Sequence, residues 1–158
     1  MADGATVTIR RKDALLKKLG ELAPATFEQL KGANRQTADE MVELAQSFVP
    51  VHTGKLRDSI VATGPGQTPP AYAQGAGSAP VPEGSYAVSA GNGKVRYAHL
   101  VEYGTKPHEN QGEFKGTANP GAPRQPFFWP AYRIVQKKMK ARARKALKTA
   151  IAAVSSAT

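Results

Sequence analysis

The sequence predicts an α+β fold: a small antiparallel sheet of three to four strands packed against a long helix in the N-terminal half and a C-terminal helix. Three observations predict it. An apolar stripe at helical spacing runs through 27–48, extended patterns follow at 56–63, 86–89 and 95–103, and a second helical pattern fills 130–154. Antiparallel strands with helices on one side are the economical arrangement of these elements. We expect one domain, 1–158.

The N-terminal region predicts a short strand and two helices. Residues 6–10 alternate between polar and apolar, and leucines at 15, 16, 19 and 22 then fall at helical spacing. Pro24 interrupts this helical pattern, because proline lacks an N–H and clashes with the preceding turn. The stripe of 27–48 is therefore expected as a separate helix and as the main core helix of this half.

A tight corner is predicted where the long helical pattern ends. Pro50 disfavours the α region at Val49, which ends the helix there. Thr53 supplies a hydroxyl that can bond nearby backbone, and Gly54 can adopt positive φ. A strand over 56–63 would follow, with Leu56 and Ile60 turned back to the helix.

Two long connections rich in glycine and proline separate the predicted elements, at 64–84 and 104–125. In the first, 10 of 21 residues are glycine or proline and only Glu83 is charged. Such a segment buries too little apolar surface to offset its ordering entropy, so we expect a flexible loop that orders on assembly. An insertion with no role is an equal alternative.

A Gly-Asn-Gly turn at 91–93 predicts a hairpin of the strands 86–89 and 95–103. On a strand, His99 and Glu102 are three residues apart and lie on opposite faces. This spacing argues against a site that both side chains share.

The positive charge is concentrated in the C-terminal segment. Residues 1–114 contain 12 basic and 12 acidic side chains, whereas 115–158 contain 10 basic and no acidic ones, which accounts for the net charge of +10. The last helix, with Pro126 or Pro130 in its first turn, carries a row of five of these charges. We call it the basic row: Arg133, Lys137, Lys140, Arg144 and Lys148. Solvent, an acidic protein surface and DNA are the alternatives for what it faces.

No residue pattern indicates catalysis, a cofactor or a metal site. The three histidines, His52, His99 and His108, fall in different elements, and the chain has no cysteine. A Gly-x-Ser-x-Gly elbow and a phosphate-binding glycine loop with lysine are both absent from the sequence. No apolar run approaches the roughly 20 residues that cross a bilayer. We expect a non-enzymatic protein with no membrane association.

Three blocks, in order, carry a family resemblance: VPVHTGKLRDSI at 49–60, YAHLVEYGT at 97–105 and QPFFWPA at 125–131. With these blocks the chain resembles the tail-completion or neck proteins of long-tailed bacteriophages, which are minor tail components of the head-to-tail joint. It departs from them at His52, where the family usually has an acidic residue, and in the insertion after residue 63. We assign the residues of the blocks first to folding: Pro50, Thr53, Gly54, Leu56, Ile60, Tyr97, Glu102, Gly104, Pro126 and Phe127.

The resemblance implies a structural virion protein, assembled in the host cytoplasm, that completes or connects the tail at its head-proximal end. It would be one subunit of a ring, expected to be a hexamer, around the DNA channel. Its partners would be its own copies, neighbouring neck, connector or tail-tube and terminator proteins, and packaged DNA in passing. Candidate interface residues are Tyr72, Phe114, Trp129 and the basic row. The alternative is an accessory protein that binds nucleic acid without sequence preference through its basic C-terminal helix.

Overall fold

The computed structural model describes residues 12–156, and the side chains of 24 and 26–153. The predicted strand at 6–10 lies outside the described residues. The elements are α1 (Lys12–Phe48), α2 (Lys55–Asp58), β1 (Val61–Thr63), β2 (Ala87–Ser89), α3 (Ala98–Tyr103), β3 (His108–Glu109), a 3-10 turn (Gly112–Phe114), β4 (Ala118–Asn119) and α4 (Phe128–Ser156). The α+β class and both long helices are confirmed.

Helix α1 is continuous through Pro24, so the predicted break at this proline is wrong. A proline inside a helix removes one hydrogen bond and crowds the carbonyl four residues earlier, at a cost of about 3 kcal/mol. Good helix formers such as Leu22, Ala23 and Ala25 surround it and favour the helical state on both sides. The local cost of the proline does not outweigh the propensity of a helix of 37 residues.

Helices α1 and α4 run antiparallel and pack along each other. Glu40 pairs with Lys138 and Arg142, and Thr37, one turn earlier on α1, contacts Arg142 further along α4. The buried residues between the helices are mostly small, which allows close approach of the two backbones. They are Ala38, Met41 and Ala45 on α1 and Ala131, Val135, Ala146 and Ala150 on α4.

The strands form two separate antiparallel pairs and not the single sheet that we predicted. In the first pair, Val61 lies opposite Ser89 and Thr63 opposite Ala87. In the second pair, His108 lies opposite Asn119. The second pair belongs to the connection 104–125, which the sequence analysis treated as a loop. Each pair is short, and the core is shared between the long helices and the segments that connect them, which contribute Leu56, Ile60, Val95 and Phe127.

The predicted strand 95–103 is wrong, because residues 98–103 form helix α3. The turn before it exists as expected: Asn92 Oδ1 accepts the N–H groups of Lys94 at 2.9 Å and Val95 at 3.0 Å. After β2, however, the backbone of Ala90 bonds with Gln74 of the long loop and not with the segment after the turn. The apolar pattern of 95–103 is too short to distinguish a strand from an amphipathic helix.

The corner after α1 has the predicted left-handed glycine, with Gly54 at φ 77°, but it continues into helix α2 before the strand begins. The predicted start of the strand at residue 56 is therefore wrong, and β1 begins at Val61. Leu56 and Ile60 are both buried in the core beside Val49, as the corner requires. The spacing of four between them suits the short helix as well as it suits a bend.

The connection 64–84 is attached to the rest of the protein at several points. Gly66 donates its N–H to Val81 and Val81 donates to Gln67, which closes the loop on itself. Asn34 of α1 donates its side-chain amide to the carbonyl of Gly84 at 2.8 Å. Flexibility of this segment before assembly stays a prediction.

Candidate functional site

The buried carboxylate of Glu102 joins the second and third family blocks. Its Oε2 atom accepts the backbone N–H groups of Phe127 at 2.8 Å and Phe128 at 2.9 Å, and its Oε1 atom accepts that of Trp129 at 3.2 Å. These N–H groups open helix α4 and have no partner within the helix itself. Negative charge at this end also complements the helix dipole. Glu102 is therefore the N-terminal cap of α4, supplied by a different helix.

The residues that we assigned to folding divide into two groups in the structure. Leu56, Ile60, Glu102 and Phe127 are buried and surround the junction of α1, α3 and α4. The others lie at or near the surface: Pro50, Thr53, Gly54, Tyr97, Gly104 and Pro126. Burial in the core accounts for the first group, and backbone conformation accounts for Gly54 and Gly104, which both have positive φ. The second group lies on the surface, where it is available for contact with other molecules.

Gly104 is a surface residue of the second block that the backbone requires. Its φ is 71°, and a Cβ atom built there would lie 2.7 Å from the carbonyl oxygen of Ala122 and 2.7 Å from the nitrogen of Arg124. Only glycine fits both the conformation and the space. The close approach allows the paired hydrogen bonds between Thr105 and Ala122 that hold the base of the second strand pair.

Four of the surface residues of the first two blocks, Pro50, Thr53, Gly54 and Tyr97, line an apolar groove of about 490 Å³. We call it the motif groove and define it by Val51, Thr53, Leu56, Tyr97, Leu100 and Pro123. Val51 is 60% exposed and Leu100 is 42% exposed. Sequence reasoning missed this groove because its walls come from three separate segments, and because Leu100 was assigned to a strand. With α3 recognised as a helix, its spacing from Tyr97 would have placed both on one face.

Phe114, a candidate interface residue, lies at the end of a projecting hairpin. Strands β3 and β4 pair, and Asn110 extends the ladder by donating hydrogen bonds to Thr117 and accepting the N–H of Gly116. Of the five phenylalanines in the chain, Phe114 is the most exposed, at 65%. An apolar ring held out in this way buries surface only when another molecule contacts it.

Trp129 and Tyr72, the other aromatic candidates, are each held by a neighbouring side chain. The indole Nε1 of Trp129 donates to the hydroxyl of Tyr103 at 2.6 Å, and the indole ring contacts Phe128 and Tyr132 edge to face. Tyr72 has a positive φ of 63°, and the guanidinium of Arg96 lies 3.9 Å from the centre of its ring. In these positions Tyr72 is 62% exposed and Trp129 is 44% exposed.

The basic row is exposed along α4, on the face away from α1. None of its five residues takes part in an ion pair with another described residue. Two further basic residues of the helix, Lys138 and Arg142, turn instead to Glu40 of α1, with Arg142 Nη2 at 2.6 Å from Glu40 Oε2. A hydrogen bond from Lys138, and to a smaller extent one from Arg142, lowers the pKa of Glu40 below its ordinary value. The helix thus uses two charges for packing and presents six to solvent, the basic row and Lys145.

His99 and Glu102 lie three apart on helix α3, so the argument that they occupy opposite faces is wrong. Both line a small cavity of about 210 Å³ with Phe127 and Trp129. The carboxylate is nevertheless occupied by the N–H groups of α4, so it is not available as a free base or ligand. Within residues 12–156 no group of three or more acidic or histidine side chains is placed to hold a metal ion.

None of the described helices combines the length and the apolar character needed to cross a membrane. In comparisons with known proteins, residues 13–104 match a family model described as "Bacteriophage HK97-gp10, putative tail-component". The match includes the first block and nearly all of the second. No curated protein and no solved structure gives a match.

Proposed function

Because the chain belongs to the HK97-gp10-like family of bacteriophage tail components, we propose that it completes or connects the tail at its head-proximal end. The observation that carries this proposal is the division of the family blocks. Their buried residues form a hydrogen-bonded junction around Glu102, and exposed residues of the first two blocks line an apolar groove. A groove of this kind on a virion protein suits a subunit that is covered on assembly. The function is mechanical and needs no catalytic group.

We further propose that the subunits form a ring, a hexamer around the DNA channel. The motif groove and the tip of the β3–β4 hairpin are different surfaces of the same chain, and contacts between unlike surfaces generate closed rings when the rotation closes. Neighbouring neck, connector, terminator or tail-tube proteins would stack on the ring. The protein would then be part of the virion.

Particles assembled without the chain test the joining function. We expect filled heads and separate tails when its gene is deleted, and joined particles when the full chain is supplied from a plasmid. Electron microscopy of the particles measures the joined fraction, and density in the neck of complemented particles locates the subunits. Complete, firmly joined tails on particles that lack the chain would refute the proposal.

A second function is favoured by one observation, the exposed basic row without acidic partners among the described residues. Such a row would bind DNA without reading its sequence, and affinity would fall steeply with salt. A variant with Lys137→Gln, Lys140→Gln, Arg144→Gln and Lys148→Gln would then elute from heparin and release DNA at lower salt. The matched control removes the same charge elsewhere, at Lys31, Lys55, Lys94 and Lys106. Equal losses of heparin and DNA affinity in the two variants would show that binding depends on net charge and not on the basic row.

A further inference from the structure

We propose that the tip of the β3–β4 hairpin of one copy binds in the motif groove of a second copy, with Phe114 as the inserted side chain. The proposal rests on the proposed assembly of several copies and specifies the contact between them. It assigns a role to the exposed residues of the blocks that line the groove, such as Thr53 and Tyr97. It also assigns an occupant to the largest uncovered apolar feature near α3.

The hairpin holds Phe114 away from its own chain. Its backbone is paired at the Thr105–Ala122 bridge and again from β3 and β4 to the hydrogen bond between Asn110 and Thr117. Five residues of fully extended chain span roughly 17 Å, which is the greatest distance that residue 110 can have from the bridge at the groove's edge. The paired strands cannot fold back sharply without losing these bonds. Phe114 is therefore placed to reach another molecule.

The motif groove has the chemistry that an aromatic tip needs. Its lining is largely aliphatic and aromatic, from Val51, Leu56, Tyr97, Leu100 and Pro123, and none of its lining residues is acidic. The groove volume of about 490 Å³ falls within the range of pockets that bind small molecules. A phenylalanine and the turn that carries it would fill such a space and bury the exposed parts of Val51 and Leu100.

The charges around the two surfaces are complementary. Glu113 directly precedes Phe114 and Glu109 lies on β3, while Lys115 offsets one of these two carboxylates. The groove is flanked by exposed basic residues, Lys55 between two lining residues and Arg124 between two others. Opposite charges at the rim guide association and fix its register more than they add to affinity.

Cysteine cross-linking tests the contact directly, because the natural chain has no cysteine. A full-length chain with Leu100→Cys and Phe114→Cys is incorporated into particles and treated with a short bismaleimide. The matched control pairs Phe114→Cys with Leu147→Cys, since Leu147 on α4 is 40% exposed and lies outside the groove. We expect covalent multimers on denaturing gels from the groove pair and at most a few per cent from the control pair. Particles that contain the groove pair but yield only monomers would overturn the proposal.

The sizes of the cross-linked multimers test the docking of Phe114 separately from the proposed hexameric ring. A ladder that reaches six subunits supports both, whereas a ladder that stops at two supports the docking of Phe114 in the groove and contradicts the ring. Tails that join in the absence of the chain would refute the joining function and leave the cross-link unaffected.

Association of the purified full-length chain gives a second measurement. Phe114→Ala should weaken self-association by tenfold or more in sedimentation, because a buried aromatic anchor carries much of an interface's affinity. Its thermal unfolding should match the unaltered chain, since Phe114 is exposed within one copy. Phe48→Ala, also at an exposed phenylalanine, is the control. Unchanged self-association in Phe114→Ala would overturn the proposal.

Discussion

The carboxylate of Glu102 accepts the three backbone N–H groups that immediately precede Pro130, at 2.8, 2.9 and 3.2 Å. Pro130 itself has no N–H, and the first bond within helix α4 is donated by Ala131 to the carbonyl of Phe127 at 3.4 Å. One side chain thus satisfies the donors that the first turn offers before the helix begins to bond with itself. This contact joins the segment 97–105 to the segment 125–131.

Replacing Glu102 with glutamine should destabilise the protein. In Glu102→Gln the side-chain NH₂ group would face a backbone N–H, and the negative charge at the helix terminus would be lost. A buried donor left without an acceptor costs about 1–3 kcal/mol, so we expect a loss of that size in the free energy of unfolding by urea. Hydrogen exchange of the amides of residues 127–129 should also become faster.

The control for this change is Glu109→Gln, at an exposed position of β3. It removes the same charge without a buried hydrogen-bond network and should change the unfolding free energy by less than about 0.5 kcal/mol. Equal stability of the two variants would contradict the capping role of Glu102.

Glu40 should make stability depend on pH in the acid range. Hydrogen bonds from Lys138 and Arg142 lower its pKa in the folded protein, so its unfolded value, near 4.5, is the higher one. The stabilisation is therefore complete above the unfolded pKa and is lost as the pH falls through the folded pKa. Because Lys138 is half exposed, we expect Glu40→Gln to cost only about 1 kcal/mol at pH 7.

The measurement is the difference in unfolding free energy between the unaltered chain and Glu40→Gln at pH 7 and at pH 3. This difference should shrink as the pH is lowered below 4.5, because protonation removes the carboxylate from the unaltered chain as well. Glu43→Gln, at an exposed site on the same helix, controls for the loss of one charge. A difference in unfolding free energy that grows on acidification would contradict a lowered pKa of Glu40 in the folded protein.

Alanine at Gly104 should be strongly destabilising. The left-handed φ of 71° and the contacts of 2.7 Å with the backbone of Ala122 and Arg124 both oppose a Cβ atom. The conformation alone costs about 1–3 kcal/mol, and the contacts add to it. Gly112→Ala is the matched control, because Gly112 has a φ of 77° with open space around its Cβ position. Thermal unfolding should therefore rank Gly104→Ala well below Gly112→Ala, and the reverse order would contradict the close approach.

Alanine at Gly32 should stabilise the protein. Gly32 lies inside helix α1, and nothing lies within 4 Å of the position its Cβ would take. Alanine in a helix interior is favoured over glycine by about 1 kcal/mol, because the unfolded chain has less conformational freedom to lose. Gly93→Ala, outside the helices and with equally open surroundings, should have little effect on the midpoint of thermal unfolding. A lower midpoint for Gly32→Ala would contradict the open surroundings of this Cβ position.

Local signals in the sequence were sufficient for several features. Gly54 marks the left-handed corner, Asn92 marks the turn after β2, and the apolar spacing of residues 27–48 marks the second half of α1. Each of these depends on neighbours within a few positions, so the chain's own order contains the information. Segment 98–103 is different, since its few apolar residues fit both periodicities and its buried Ala98 and Glu102 are spaced by four.

The assignment of the candidate site residues shows the same division. Exposure of Phe114, Trp129 and the basic row follows from their positions on a hairpin tip and on one face of a helix. The motif groove could not be found in this way, because its walls come from 50–56, from α3 and from 122–125. The sequence of one segment does not predict that the other two segments lie beside it.

The sequence by itself determined the α+β class, the two long helices, the glycine corner and the placement of excess charge on the last helix, because each is a matter of local preference or composition. Only the tertiary structure decided that α1 passes through Pro24, that residues 98–103 are helical and that Glu102 caps α4. The reason is physical: the buried carboxylate is stabilised by N–H groups 25 to 27 residues away. Partners so distant exist only once the helices have packed.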